Sequence, residues 1–372
     1  MFVAWRDLRF AKGRFALMGS VVLLITLLVG LLSGLTAGLA RENISAITGL
    51  PSTTRLAFAA PTGDQRVSFS NSQVPEKAWL AWREQPGVTS AQPLGIRTTN
   101  AVSGDRTAAV SAFGVDPTGP LAPVGSGLAQ GQVVLTEKAA EELGRLGPGS
   151  RLKIGPVEMT VAAVSGTAVH SHTPVVWMDL GDWQRVGNTG TSLDTLATVV
   201  ALDGKGGKAG KDGKGGADWA AGDKAAGTKA LTVDEALGAI GSYTSENGSL
   251  QLMRGFLFAI SALVIGAFFT VWTIQRSGDI AVLKALGAST AYLLKDALGQ
   301  AVVMLAIGTG AGTALAAGFG ALITGADVPF VLEAATVLVP AAVMIALGAL
   351  GAALSIRRIT AVDPLTALGS AR

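Results

Sequence analysis

Four long apolar runs divide the chain, and a polar stretch from 41 to 254 separates the first run from the other three. The runs are Phe15–Ala40, Gly255–Gln275, Ala297–Ala326 and Ala334–Ile356, and none contains a formally charged side chain. A helix of about 20 apolar residues crosses a hydrocarbon core about 30 Å thick. The pattern therefore predicts a polytopic α-helical membrane protein with four transmembrane helices and one extracytoplasmic domain inserted between helices 1 and 2.

The first apolar run has a second interpretation, a cleaved signal peptide, because it is N-terminal and follows basic residues. The apolar core of a signal peptide usually spans about 7–15 residues and ends at a small-x-small site. Phe15–Ala40 is longer, and no clean site of that kind closes it. We therefore expect a retained membrane anchor.

Basic side chains near the apolar runs predict the orientation, since cytoplasmic flanks keep Lys and Arg. They precede the first run, follow the second and follow the fourth, whereas the connection between the third and fourth runs has none. Both termini are therefore expected in the cytoplasm. The net charge of +3 has this topological origin and does not indicate nucleic-acid binding.

These considerations give a complete domain organisation. The cytoplasmic segments are 1–14, 276–296 and 357–372, the membrane helices are 15–40, 254–275, 297–325 and 334–356, and the extracytoplasmic domain is 41–253.

The large polar domain contains no cysteine, so an ordinary hydrophobic core must stabilise it. Its pattern is mixed α and β. Val133–Leu135 predicts a strand, Thr136 a helix N-cap and Glu137–Gly144 a helix closed by glycine. Leu146–Ile154 turns into a second strand, and Val157–Val164 predicts a third. We expect a scaffold of α/β type.

Residues 203–230 are rich in glycine and lysine interleaved with alanine and aspartate. Such a composition buries little apolar area and predicts a flexible surface loop. A solvated insertion is the simpler interpretation, and contact with an anionic lipid or polymer is the alternative.

Motifs for catalysis are missing from the sequence: there is no phosphate loop, no HExxH, no GxSxG and no cysteine cluster. The two histidines, His170 and His172, lie in a strand-like stretch that would place both rings on one face. Such a pair can bind a metal, but with no third ligand nearby a hydrogen-bonded surface pair is favoured. The sequence predicts neither an enzyme nor a permanently bound cofactor.

A short amphipathic helix is predicted at the inner end of the second apolar run. Ile280, Leu283, Leu286 and Gly287 recur at helical spacing, Gly287 ends the helix, and Ser289 caps the next. An inner helix of this kind binds lipid headgroups or a partner groove. The residues alone leave both open.

Three stretches resemble the permease family that includes MacB and FtsX. They are QRxxDIAVLKALGAS at 275–289, RRITAVDPLTAL at 357–368, and VVLTEKAAEELG followed by GPGSRL within 133–152. The resemblance implies a homodimer in the bacterial cell membrane, bound to two copies of a separate ABC ATPase that hydrolyses ATP. It also makes the inner helix the ATPase coupling surface, formed by Arg276, Asp279, Ile280, Leu283, Lys284, Leu286 and Gly287.

The first apolar run supplies a candidate dimer interface. Gly30, Gly34 and Gly38 form two successive GxxxG steps on one face, which permits close helix approach. The alternative is packing against another span of the same chain, since Gly308 and Gly312 are also four residues apart.

The outer end of the second span carries a candidate ligand stripe. A helix that begins near 245 projects beyond the membrane as a stalk and places Glu246, Ser249, Met253 and Leu257 on one face. The simpler interpretations are a first-turn acid for Glu246 and core packing for Met253. The functional interpretation is haem-iron ligation by Glu246 and Met253, because methionine is a haem ligand type.

The stretch from Ser242 to Arg276 is similar to the haem-exporting, HrtB-like branch of that family. The similarity implies that haem is the transported substrate, taken from membrane lipid and expelled outward, with Arg254 facing a propionate or a lipid phosphate. No histidine is near the stripe in sequence, which weakens the haem interpretation. A MacB-like exporter of another lipophilic cargo and an FtsX-like mechanical transmitter that controls a cell-wall hydrolase remain alternatives.

Overall fold

The computed structural model describes residues 12–63, 65–123, 125, 127–187, 194–204, 216–275, 278, 282, 286–323 and 328–360. The chain forms two compact units. The membrane unit comprises the residues up to Leu39 and from Gly248 onward, and the inserted domain comprises Ala40–Asn247. The domain predicted at 41–253 is therefore shorter at its C-terminal end.

The elements follow in chain order. They are α1 (Lys12–Thr48), β1 (Arg55–Ala59), β2 (Val74–Pro75), α2 (Glu76–Glu84), β3 (Val88–Ser103), β4 (Arg106–Val115), β5 (Gln132–Leu135), α3 (Glu137–Glu142), β6 (Arg151–Ile154), β7 (Val157–Val164), β8 (Val169–His170), β9 (Thr173–Asp179), α4 (Leu180–Gly187), β10 (Thr195–Ala197), β11 (Val199–Gly204), α5 (Trp219–Ala226), β12 (Thr228–Thr232), α6 (Val233–Ala236), a single 3-10 turn (Leu237–Ala239), α7 (Gly241–Gln275), α8 (Thr290–Ile323) and α9 (Ala334–Thr360).

Four of the described helices, α1, α7, α8 and α9, are long and apolar enough to cross a membrane, which confirms the predicted number. Each except α9 begins before its predicted span. In particular α7 begins at Gly241, and the start predicted near 245 was four residues late. Glu246 therefore lies in the second turn of a continuous helix.

The membrane unit has its own apolar core, to which α7 contributes Ile265, Phe269 and Trp272 at spacings of four and three residues. Hydroxyl groups on the same helix bond to its backbone. Ser261 donates to the Leu257 carbonyl at 2.6 Å, and Thr273 donates to the Phe269 carbonyl at 2.6 Å. These two hydroxyl groups are thus satisfied within their own helix, without water.

Three glycines of α1 face residues of the same chain. A Cβ placed on Gly30 would be 2.8 Å from the Ala316 Cβ, and one on Gly34 would overlap the Phe330 ring. A Cβ on Gly38 would overlap the Pro329 carbonyl. A second copy cannot occupy this space, so the dimer interface predicted at Gly30, Gly34 and Gly38 is wrong, and packing within one chain explains the GxxxG steps.

The substitution Gly38→Ala is expected to lower the free energy of unfolding by about 1–3 kcal/mol, because the added methyl meets backbone atoms that cannot move aside. Gly19→Ala is the control on the same helix, since a Cβ there has no atom within 4 Å. Thermal unfolding of the detergent-solubilised protein measures both. A Gly38→Ala protein that keeps parental stability but loses dimerisation would contradict the intrachain assignment.

The long strand β3 organises the sheet of the inserted domain. Its first half pairs with β11, and its second half, from Gly95 to Ser103, pairs with β4. The strand order is β12-β1-β11-β3-β4-β9-β5-β7-β6, and a further pairing of β3 with β6 closes the second part of the sheet on itself. The parallel pairs are β4 with β9 and β5 with β7. This confirms an α/β inserted domain.

The elements predicted around Thr136 are present. Strand β5, helix α3 and strands β6 and β7 match the predicted pattern, and Gly144 follows α3 with φ of 103°. Thr136 occupies the N-cap position of α3, but its hydroxyl donates to the Val175 carbonyl at 2.9 Å and makes no cap hydrogen bond.

The segment predicted as a flexible loop, 203–230, is partly folded. Asp218 caps α5 by accepting from the Ala221 N–H at 3.0 Å, and Gly227 ends α5 with φ of 65°. The Trp219 ring lies 6.0 Å from the Trp82 ring. Residues 205–215 are outside the described part of the chain. The prediction of a flexible loop is therefore wrong for 216–230. A short helix and a strand directly follow the lysine-glycine run, and the composition of the whole segment concealed them.

Candidate functional site

Glu246 is held in a polar network inside the inserted domain. Its Oε2 lies 2.8 Å from the His172 Nε2 and accepts from the Asn43 Nδ2 at 3.0 Å. Its Oε1 lies 3.0 Å from the same histidine nitrogen. Because a carboxylate only accepts, a hydrogen bond to Glu246 requires the tautomer in which the His172 Nε2 carries a proton.

Asn43 links the end of α1 to the start of α7. It is 1% exposed, and its Oδ1 accepts from the Ser242 hydroxyl at 2.6 Å. Its Nδ2 donates to Glu246, so both ends of the amide are used. A buried amide bonded at both ends orients its neighbours, since an unsatisfied partner would be costly.

The turn between β8 and β9 brings His172 to this place. Ser171 and His172 have φ of 51° and 63°, the left-handed region that side chains rarely adopt. Their backbone N–H groups donate to the carbonyls of Asn43 at 3.0 Å and Glu42 at 3.1 Å. Contacts with α1 therefore compensate the strained turn.

A second carboxylate flanks the same ring. The Glu42 Oε2 lies 3.7 Å from the His172 Nδ1, and the Glu42 Oε1 lies 3.1 Å from the Lys138 Nζ. The side chains of His172 and Glu246 are 33% and 41% exposed. The network thus lies at the surface of the domain, open to a proton or a ligand from outside.

The two histidines do not share a face. The chain reverses after His170, so His170 points into the core while His172 joins the surface network. The predicted same-face pair is wrong, both as a metal site and as a hydrogen-bonded surface pair. Across the described residues, no group of three or more His, Cys, Asp or Glu side chains is arranged to hold a metal ion.

His172, Asn43 and Glu42 surround Glu246 in the structure, and none of the three was predicted as its neighbour. The expectation that no histidine is near Glu246 was wrong, because the fold closes a separation of 74 residues between His172 and Glu246. No local pattern marks these contacts, since they depend on the register of the β8–β9 turn against α1.

His170 is buried between aromatic rings. The ring centroids of Phe69 and Phe113 lie 5.5 and 5.6 Å from that of His170 in edge-on arrangements. Burial lowers the pKa of His170 from 6.5 to about 4, because the charged form loses its hydration. His170 is therefore neutral at physiological pH.

Comparison with known proteins identifies the family. The model described as MacB-like periplasmic core domain matches residues 17–206, just over half of the chain, and that described as FtsX-like permease C-terminal matches 252–364. The chain belongs to the MacB/FtsX family of ABC transporter permeases. Members of this family are transporter subunits, and a permease of an ABC system works with an ATPase partner.

Relatives of full length carry a more specific name. The chain is 26% identical over 376 residues, and 99% of each chain, to a protein of Staphylococcus epidermidis (strain ATCC 12228 / FDA PCI 1200) named as a hemin transport system permease protein HrtB. A protein of the same name from Staphylococcus haemolyticus (strain JCSC1435) is 26% identical over 369 residues, again over 99% of each chain.

Solved structures show weaker likeness. The extracellular domain of the transporter YknZ from Gram-positive bacteria is 12% identical, covers 48% of this chain and 98% of its own, and gives a TM-score of 0.35. The periplasmic region of MacB from Actinobacillus actinomycetemcomitans is 16% identical, covers 51% and 92%, and gives 0.35. Both TM-scores are low, so the family assignment rests on the sequence matches.

The other residues predicted to form the site lie farther along α7. Met253 is 55% exposed, and the Arg254 guanidinium lies 5.9 Å from the centre of the Phe258 ring. Ser249 and Met253 remain at helical spacings of three and seven residues from Glu246, because α7 is continuous from Gly241 to Gln275. The ligand stripe on α7 therefore remains a prediction, and the helix keeps the spacing on which that prediction depends.

The predicted coupling segment is described in part. Arg276, Asp279, Ile280, Leu283 and Lys284 lie outside the described residues. Leu286 is 80% exposed, and Gly287 has φ of 94°, which fits the predicted helix end. The Ser289 hydroxyl accepts from the Tyr292 N–H at 3.3 Å, which confirms its predicted capping role for α8.

The burial of His170 makes stability depend on pH. Between pH 6.5 and about 4 the unfolded chain binds a proton at this position and the folded chain does not, so the free energy of unfolding falls as the pH is lowered. The loss is expected to approach about 3 kcal/mol at most. His170→Phe should remove this component. Thermal unfolding by tryptophan fluorescence between pH 4 and 7 measures it, and an unchanged pH slope in His170→Phe would refute the assignment.

A double-mutant cycle of His172→Ala and Glu246→Ala should give a coupling free energy of about 0.5–1.5 kcal/mol, reduced by the partial exposure of both side chains. The matched control is the pair Arg151 and Glu158, which is 3.8 Å apart and far more exposed, and should show no measurable coupling. Chemical unfolding of the four proteins of each cycle provides the values. Equal coupling in both cycles would mean that the His172–Glu246 contact has no special strength.

Proposed function

We propose that this chain is the permease subunit of an ABC exporter that takes haem from the membrane and expels it outward. The exporter is a homodimer bound to two copies of a separate ATPase. The observation that carries the proposal is the match along 99% of both chains to permeases named for hemin transport. The stripe on α7 gives it a chemical basis.

Glu246 and Met253 are the proposed iron ligands on α7. A thioether and a carboxylate are weaker ligands than imidazole, which suits a cargo that must leave. The Glu246 Oε2 accepts from Asn43 and His172, while the Oε1 lies 3.0 Å from His172 alone. Since each carboxylate oxygen has two lone pairs, Oε1 can bind iron while Oε2 keeps its hydrogen bonds.

Ser249 and Arg254 complete the proposed haem site. Ser249 lies between the two ligands in the helical repeat and offers a hydroxyl to the porphyrin edge. Arg254 directly follows Met253 and carries a guanidinium, which pairs with carboxylates in a two-pronged geometry. A haem propionate is the expected partner, and a lipid phosphate meets the same chemistry in the absence of haem.

Apolar faces of the membrane helices suit a second copy. Leu252, Phe256, Ile260 and Leu263 are 58–72% exposed and recur at helical spacing on α7. Leu17, Leu24 and Leu28 are 54–59% exposed on α1. We place the partner copy and the haem between these faces, rather than at the glycines of α1.

The distribution of basic residues supports the proposed orientation of the chain. With both termini in the cytoplasm of a bacterial cell, the inserted domain lies outside the plasma membrane and the segment 276–296 faces the ATPase. ATP-driven closure of the dimer would then release haem on the side of the inserted domain. Haem that enters from lipid would meet Met253 first. Glu246 lies seven residues before Met253 on α7, nearer the proposed exit.

Titration of the purified protein with hemin tests the ligands. We expect a Soret change that saturates near one haem per dimer, and at least about a tenfold loss of affinity in Glu246→Ala and in Met253→Ala, because each removes an iron ligand. Leu350→Ala is the control for Met253, since Leu350 is a similarly exposed apolar residue on α9, outside the faces assigned to haem and the second copy. Glu84→Ala is the control for Glu246, as an exposed carboxylate on α2.

The hemin titration also distinguishes haem export from the other functions considered for this family. If hemin gives no saturable Soret change, or if both ligand variants titrate like the parent, the haem proposal fails. A lipophilic cargo of another kind or mechanical signalling would then be the function of the permease.

A further inference from the structure

The inserted domain contains a cavity of about 480 Å³ that the preceding proposal does not use. Its walls include Phe69, Ile96, Arg97, His170, Trp183 and Thr198. The volume is within the range of about 300–1,000 Å³ that small-molecule sites occupy. All these residues belong to the inserted domain, and none belongs to the network around Glu246.

Two deeply buried side chains of the wall lack hydrogen-bond partners among the described residues. The Trp183 Nε1 and the His170 Nδ1 are unsatisfied, although these residues are 3% and 5% exposed. Buried nitrogens of this kind are rare in folded proteins, because each lost hydrogen bond costs about 1–3 kcal/mol. Each nitrogen exposes less than 1 Å², so a ligand in the cavity can bond to it only after the side chain shifts toward the cavity.

The buried hydroxyls of the same wall differ from these nitrogens. Ser72 donates to the Thr198 carbonyl at 2.6 Å, and Thr198 donates to the Ile96 carbonyl at 3.0 Å. Among the buried polar groups of this wall, the unsatisfied atoms are thus the His170 Nδ1 and the Trp183 Nε1. An indole N–H can only donate, so the missing partner at Trp183 must be an acceptor.

Arg97 adds a positive charge. Of the described residues that line the cavity, only Arg97 carries a full charge at neutral pH, and none is acidic. Its guanidinium lies 5.1 Å from the centre of the Trp183 ring and donates to the Gly187 carbonyl at 3.0 Å. Partial burial lowers the pKa of Arg97, because the charged form loses part of its hydration. A guanidinium in this position attracts an anion with planar acceptor geometry.

Apolar surface adjoins these donors. Phe69 is 6% exposed and Ile96 is 8% exposed, and the rings of His170 and Trp183 add flat surface. We propose that this cavity is a separate binding site for an organic carboxylate with a flat apolar body, whose carboxylate bonds to Arg97 and Trp183. The apolar body packs on Phe69 and Ile96, and the His170 Nδ1 supplies a further hydrogen bond.

Calorimetric titration of the full-length protein in lipid nanodiscs tests this site, with 2-naphthoate as the carboxylate probe and 2-naphthalenemethanol as its neutral counterpart. Empty nanodiscs correct for partition into lipid. We expect saturable binding of 2-naphthoate and at least about tenfold weaker binding of the alcohol, because the charge-assisted bonds are lost.

Variants locate the binding. Arg97→Gln should weaken 2-naphthoate binding at least about tenfold, and Trp183→Phe, which keeps an aromatic ring but removes the N–H, about threefold or more. Arg151→Gln is the matched control, since Arg151 is an exposed arginine of the same domain with 79% of its side chain accessible. Its affinity should equal that of the parent.

Three results would overturn the proposal: no saturable binding of 2-naphthoate, equal affinities in Arg97→Gln and the parent, or competition between hemin and 2-naphthoate. Competition would make the cavity part of the haem path instead of a separate site. The hemin titration of Arg97→Gln should match that of the parent, so this site and the haem proposal can fail independently.

Discussion

The buried amide of Asn43 is the contact on which the arrangement around Glu246 depends. It accepts from Ser242 and donates to Glu246, so one side chain of α1 fixes two successive turns of α7. The backbone carbonyl of Asn43 also accepts from Ser171 and so holds the β8–β9 turn. Because an amide has a fixed separation between its donor and acceptor ends, the side chain sets the spacing between α1 and the first two turns of α7, and the backbone carbonyl positions the turn.

The contacts around Asn43 hold the Glu246 carboxylate differently from that of an ordinary acid in the first turn of a helix. A helix N-terminus alone would stabilise a carboxylate through its backbone dipoles. Here side chains from two other elements contact the carboxylate, and it stays 41% exposed. A group that is oriented yet accessible is the arrangement that ligand binding requires, because the free energy of ordering has already been spent in folding.

Small residues have an equally specific place in the membrane unit. Gly34 and Gly38 leave room for Phe330 and the Pro329 carbonyl of the same chain, and the Gly34 carbonyl accepts from the Val331 N–H at 3.1 Å. In a hydrocarbon environment such close packing replaces the driving force that water supplies elsewhere. The exposed leucines of α1 and α7 lie outside this packing within the chain.

The sequence by itself determined the features that arise from local physics. Uncharged runs long enough to cross a bilayer gave four helices, and the pattern around Val133, Thr136 and Gly144 gave a strand, a helix start and a helix end. These properties depend on hydrophobicity and on backbone preferences within a few residues. The same local reasoning identified Glu246 and Met253 as members of one helical stripe.

The tertiary structure decided which distant side chains meet. No local pattern predicts that His172 reaches Glu246 or that Gly38 packs on Pro329. Nor does any local pattern predict that His170 is only 5% exposed, beside Phe69 and Phe113. A GxxxG step indicates only that another helix or segment can approach closely. Two histidines two residues apart share a face only if the strand continues through both. Partners are chosen by the register of strands and turns, and that register is fixed by the packing of the whole domain.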